Sequence, residues 1–154
     1  MQFKFFTVLA LAATAFAAPV TVEKRSARTF AQLTISGGVG GNALAEAKAK
    51  FPAGNLSATQ VQDFNTEAHC AVLAESAFVA AGKSSAISVG LTKNKVLKIW
   101  GTIVALQGQI QKSGGKASSS QTAHLNELQT KLGVNVAIDQ KNAGKASKTV
   151  SFNC

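Results

Sequence analysis

The sequence predicts an all-α protein, a small antiparallel bundle of four to five short helices to which a short pairing of N- and C-terminal strands can be added. Three observations carry this. Apolar residues in the middle of the chain recur at helical spacing, hydroxyl or amide caps and Gly or Pro stops bracket those runs, and no heptad array or internal repeat competes with them. At 154 residues the chain suits one domain and is too short for two.

The first elements read as an address. Lys4 supplies a positive start, Phe5–Leu11 and the following alanines an apolar run, and Ala15-Phe16-Ala17 a small-x-small cleavage pattern, so residues 1–18 are expected to be a secretory signal peptide. The run is shorter than the roughly 20 residues that span a bilayer, and no other stretch approaches that length, so no transmembrane anchor is expected. Lys24-Arg25 is a dibasic processing site that would end a pro-segment at 19–25 and leave a single helical domain at 26–154. Losing Lys4, Glu23, Lys24 and Arg25 leaves 13 basic and 6 acidic residues, so the secreted domain stays basic.

Residues 27–36 are β-rich and partly alternating, and are expected to be extended. Gly37-Gly38-Val39-Gly40-Gly41 follows, then Asn42 as the cap of an alanine-rich helix, Ala43–Lys50, stopped by Pro52 and Gly54. Ser57-Ala58-Thr59-Gln60 fits a capping box. At 100° per residue Val61, Phe64, Ala68, Ala71, Val72, Phe78 and Val79 share a stripe, which predicts a helix running to about Gly82, with Cys70 projecting off the stripe. Lys83–Leu91 reads as a linker. From Thr92 to Lys112 the residues Val96, Leu97, Ile99, Trp100, Ile103, Val104, Leu106 and Ile110 cover about half the helix circumference, so this helix is expected at the centre with a neighbour on either side. Gly114-Gly115 ends it. Ser118–Ser120 caps a shorter helix bearing Leu125, Leu128 and Leu132, closed by Gly133. A weak final helix, Val134 to about Lys145, aligns Val134, Ala137 and Ile138, and the tail Thr149–Phe152 is free to pair with 29–35.

Composition limits the chemistry. Two histidines, seven carboxylates and no tyrosine offer no nucleophile–base–orienter set, so no enzyme is expected. His69 adjoins Cys70, but with His124 the spacing matches no zinc pattern. The glycine-rich 37–41 segment lacks the Gly-Lys-Ser/Thr of a phosphate cradle, so no nucleotide and no other cofactor is expected. Glu75 falls within an apolar stripe and is read as an edge position paired with a lysine. An even cysteine count in a secreted chain favours a Cys70–Cys154 disulfide, with a buried free Cys70 or intermolecular pairing as the alternatives. Asn55-Leu56-Ser57 is an N-glycosylation sequon in a loop, and Ser57 is also the helix cap. Lys93, Lys95 and Lys98 open the central helix and Lys141, Lys145 and Lys148 mark the C-terminal segment, all six being candidate contacts for an anionic partner such as a cell-wall or surface polymer. The charge is lysine-heavy, with Arg28 the one arginine after processing, and that composition argues against specific nucleic-acid reading.

Thr29–Ser36, Gly41–Ala47, Lys93–Lys98 and Asn142–Lys148 together resemble an uncharacterised group of small secreted proteins of filamentous ascomycete fungi, over Thr29 to Phe152. Many of that group lack cysteine, so the Cys70/Cys154 pair is a departure. The resemblance implies a fungal, extracellular, non-enzymatic protein. With the leader and the small size, it points to a candidate effector acting on a host protein at the host interface. The alternatives are a structural protein of the cell wall or of hydrophobic surfaces, and a membrane-active or antimicrobial protein.

Overall fold

The computed structural model describes residues 26–154. The signal peptide expected at 1–18, the pro-segment expected at 19–25 and Lys24-Arg25 lie outside the described residues. The fold is all-α: α1 Phe30–Leu33, α2 Ala43–Lys50, α3 Ala58–Leu73, α4 Glu75–Ala80, α5 Ser85–Lys112 and α6 Ser119–Lys141. The centre is α5, packed against α2, α3, α4 and α6. Late α5 meets early α3 (Gly108 beside Val61) and early α5 meets late α3 (Asn94 on the Ala71 carbonyl), so the two run antiparallel.

Helix starts follow their caps. The Ser57 hydroxyl accepts from the Gln60 amide at 3.1 Å and Gln60 returns its side-chain oxygen to the Ser57 N–H at 2.8 Å. Ser118 and Gln121 repeat the arrangement at the head of α6. Asn42 does not cap α2 with its side chain. Instead the Ala43 N–H donates to Asp139 Oδ2 of α6 at 2.8 Å, a tertiary carboxylate at the positive end of α2.

Two helices are longer than the sequence suggests. Lys83–Leu91 is no linker: its residues from Ser85 form the first two turns of α5, capped by Ser84. Those turns are held because the tail crosses them, with the Lys148 N–H donating to the Ala86 carbonyl at 3.0 Å. Gly133 does not stop α6, which is continuous from Ser119 to Lys141. A glycine inside a helix costs only about 1 kcal/mol, less than Leu132 and Val136 return by packing on the main core. Elsewhere a helix is shorter than expected. The chain breaks at Ala74 between α3 and α4, so the stripe loses phase beyond it: Phe78 stays buried while Val79 is 73% exposed, and Val72, before the break, is 41% exposed at the edge of α3. On α6, Val134 and Ile138 likewise face outward.

The terminal strand pair does not form. Within this segment Phe30–Leu33 winds into the single turn α1, fixed by the Thr29 N–H donating to Gln32 Oε1 at 3.0 Å. The tail pairs with the glycine-rich segment instead, through isolated bridges Val39–Ala146 and Gly40–Ala143 and the Ser147 N–H on the Gly38 carbonyl. Among the described residues there is no strand.

The main core is Leu33, Phe51, Phe64, Val96, Leu97, Val104 and their smaller neighbours, with Trp100 half-buried at its edge and donating to the Phe51 carbonyl at 2.9 Å. A second cluster holds Phe30, Cys70, Ala74, Phe78 and Ile87 under Val150 and Phe152 of the tail. Cys70 does face away from the main core, but into this second one, where it is 3% exposed and bonded to Cys154. The tail is thus a strap, packed, hydrogen-bonded and covalently fastened.

Candidate functional site

Of the six lysines expected to meet an anionic partner, Lys93 does not qualify. It is 1% exposed, and its ammonium donates to the Gly37 and Val39 carbonyls at 2.9 Å each and pairs with Glu46. A fully buried ammonium needs such partners, and once it has them it is part of the fold. Lys93 therefore anchors the glycine-rich segment to α5. Lys141, Lys145 and Lys148 are exposed, with Lys145 donating to Asn142 Oδ1 at 2.9 Å.

Lys95 and Lys98 remain, and the fold adds to them. Neither α3 nor α6 covers the strip of α5 that faces outward between them, and the resulting groove has a volume of about 380 Å³. Lys95, Lys98 and Thr102 recur three and four residues apart, so they share this strip. Val72 of α3, Ile99 of α5 and Leu128 of α6 form the apolar walls, and Lys131 and Asn135 close the α6 side. Val72 is only partly covered by the fold.

The electrostatics of the groove are uneven. Glu75, the carboxylate within an apolar stripe, pairs with Lys98 at 2.8 Å, as its edge position suggests. Glu127 pairs with Lys131 across one helical turn. The hydrogen bond and charge of Lys131, and then His124 at 3.6 Å, hold the Glu127 carboxyl below its usual range. Lys95 has no ion-pair partner among the described residues. The arrangement places three ammonium groups over an apolar floor, with two of them fixed in position by carboxylates. It is suited to holding an anionic, partly apolar group.

Asn55 is exposed in the loop before α3, and its sequon partner Ser57 caps that helix. Cys70 and Cys154 are joined. His69 and His124 are exposed and lie on different helices, α3 and α6. Among the described residues no three His, Cys, Asp or Glu side chains are grouped to hold a metal ion.

Three polar anchors escaped sequence reasoning. Arg28 donates through Nε and its backbone N–H to Glu67 Oε1 at 2.8 Å each, and through Nη2 to Glu67 Oε2 and the Lys50 carbonyl. Glu67 is fully buried, and the guanidinium lies 5.4 Å from the centre of the Phe51 ring. Lys93 and Asp139 are the other two. For Glu67 the signal was present: it lies within one turn of Phe64 and Ala71 on α3, beside the apolar stripe. Lys131 joins the groove only through the packing of α6 on α5, which no local pattern encodes.

No curated protein and no solved structure matches the chain. The profile of a family described as a domain of unknown function, DUF8454, matches residues 25–151, and the chain belongs to that family.

Proposed function

We propose that this chain is a secreted, non-enzymatic interaction protein of the fungal effector type, which engages an anionic partner at the host interface through the α3–α5–α6 groove. One observation carries the reading: Lys95, Lys98 and Lys131 converge over Val72, Ile99 and Leu128 in a groove that no element of the described chain fills. The leader pattern of residues 1–18 and the disulfide support an oxidising, extracellular destination. No helix among the described residues is long and apolar enough to cross a membrane.

Complementation tests the reading. A deletion strain is expected to lose host colonisation, to regain it with the wild-type gene, and to stay deficient with Lys95→Glu/Lys98→Glu/Lys131→Glu secreted at the normal level. Full rescue by that triple variant would remove the groove from the function.

A second reading, a cell-wall-associated protein, is favoured by one other observation. Lys141, Lys145 and Lys148 are all exposed along the strap and the end of α6. Retention on isolated walls, released by salt and lost on changing these three lysines to Gln, would select it over the first.

A further inference from the structure

A different surface carries a modification. We propose that Asn55 is N-glycosylated and that the first N-acetylglucosamine of its glycan lies in the groove between the 53–55 loop and the C-terminal turns of α5. The proposal rests on the secreted reading, because only a chain entering the secretory pathway meets the transferase.

The loop presents the acceptor. Leu56 is 5% exposed and anchored in the main core, so its neighbours Asn55 and Ser57 are turned outward. Gly54, at φ +147°, gives the loop a conformation that side-chain-bearing residues rarely adopt. The groove beside it has a volume of about 490 Å³, and its lining includes Ala53, Asn55, Val104, Gln107, Ile110 and Gln111. Its polar groups are amides and none is charged, in contrast to the lysine-bearing groove. Gln107 and Gln111 are exposed one turn apart on α5, spaced to meet the hydroxyls and acetamide of a neutral sugar, with Ile110 beside them as an apolar surface.

In the modification, Asn55 Nδ2 forms a bond to the anomeric carbon of a lipid-pyrophosphate-linked oligosaccharide. The bond from that carbon to the phosphate oxygen breaks, the lipid pyrophosphate leaves, and one amide proton passes to base. The Ser57 hydroxyl, required by the sequon while the chain is still extended, is afterwards committed to capping α3.

The test uses the full chain expressed in a secreting fungal host. Intact mass of the protein in the medium should show a hexose-spaced series that collapses to one mass after peptide N-glycosidase, with Asn55 converted to Asp. Asn55→Gln should give the single unmodified mass. Ser57→Asp should also lose the glycan while keeping the helix cap and thermal stability, and Ser57→Thr should keep both. For the groove, Gln107→Ala/Gln111→Ala should leave occupancy intact and raise the rate of enzymatic glycan release from the native protein several-fold. Wild-type protein in the medium at its unmodified mass would overturn the glycan and leave secretion standing. Retention in the cell with the leader attached and no glycan would overturn both. An unchanged release rate in the double variant would remove the sugar from the groove.

Discussion

The two halves of α5 are built on different principles. From Ile99 onward the buried positions are aliphatic or small, Ile99, Ile103, Val104, Ala105 and Ile110 among them, and they pack by shape alone. Before Ile99, buried aliphatics share the helix with Gly90, Lys93 and Asn94, which tie the backbone of neighbouring segments to the helix. Gly90 leaves room for the Lys148 carbonyl, Lys93 holds two carbonyls of the glycine-rich segment, and Asn94 Nδ2 donates to the Ala71 carbonyl at the end of α3 at 2.8 Å. One helix is thus core in its second half and scaffold in its first, and periodicity reveals only the former.

The largest expected effect tests the scaffold half. Lys93→Met keeps the length of the side chain and removes its charge, stranding the Gly37 and Val39 carbonyls and Glu46. About 3 kcal/mol of stability should be lost in urea unfolding. Hydrogen exchange should show residues 37–41 and the strap opening together, while the second half of α5 stays protected. An unaltered exchange pattern would mean that the two halves are not distinct units.

Gly90→Ala comes next. Its Cβ would collide with the Lys148 carbonyl and approach Phe78 at 3.1 Å. Overpacking of this kind outweighs the better helix propensity of alanine, for a net loss of about 1–2 kcal/mol. Gly133→Ala sharpens the point from the opposite side. Its Cβ would meet nothing within 4 Å and its φ is not positive, so the same substitution in α6 should stabilise by about 0.5–1 kcal/mol in thermal unfolding. The smallest effect concerns Glu127. Its folded-state pKa is depressed by Lys131 and His124, so its contribution is present at neutral pH and lost as pH falls through that folded pKa. An NMR titration should place the Glu127 carboxyl below the usual glutamate range, with most of the difference removed by Lys131→Ala and the remainder traced to His124.

Legibility in the sequence followed the same division. The second half of α5, the reciprocal cap at Ser57, an N-cap within Ser118–Ser120, the pairing of Glu75 with a lysine and the Cys70–Cys154 bridge were all readable, since each depends on local spacing or simple pairing. The first turns of α5 were not. Ser85–Val89 has modest helix propensity, and the strap and Phe78 supply what it lacks. The β-branched Thr29–Ile35 segment read as a strand, but Phe30 and Leu33 are both buried, three residues apart, a spacing that one helical turn provides and an extended chain does not. Of the lysine groove, Lys95 and Lys98 were legible as charge on one helix, whereas their partial exposure, the burial of Lys93 and the arrival of Lys131 depended on tertiary packing.

The bond from Cys70 to Cys154 also determines what a protease can accomplish. The α5–α6 connection is exposed around Gly114, Gly115 and Lys116, the most open backbone between the two longest helices. Trypsin cutting after Lys116 would separate the polypeptide into a piece carrying Cys70 and a piece carrying Cys154, yet the sulfur bridge would keep them one molecule. Such a clipped form should migrate intact on a gel without reductant and fall into two fragments with it, so a single cut would scar this protein without dismantling it.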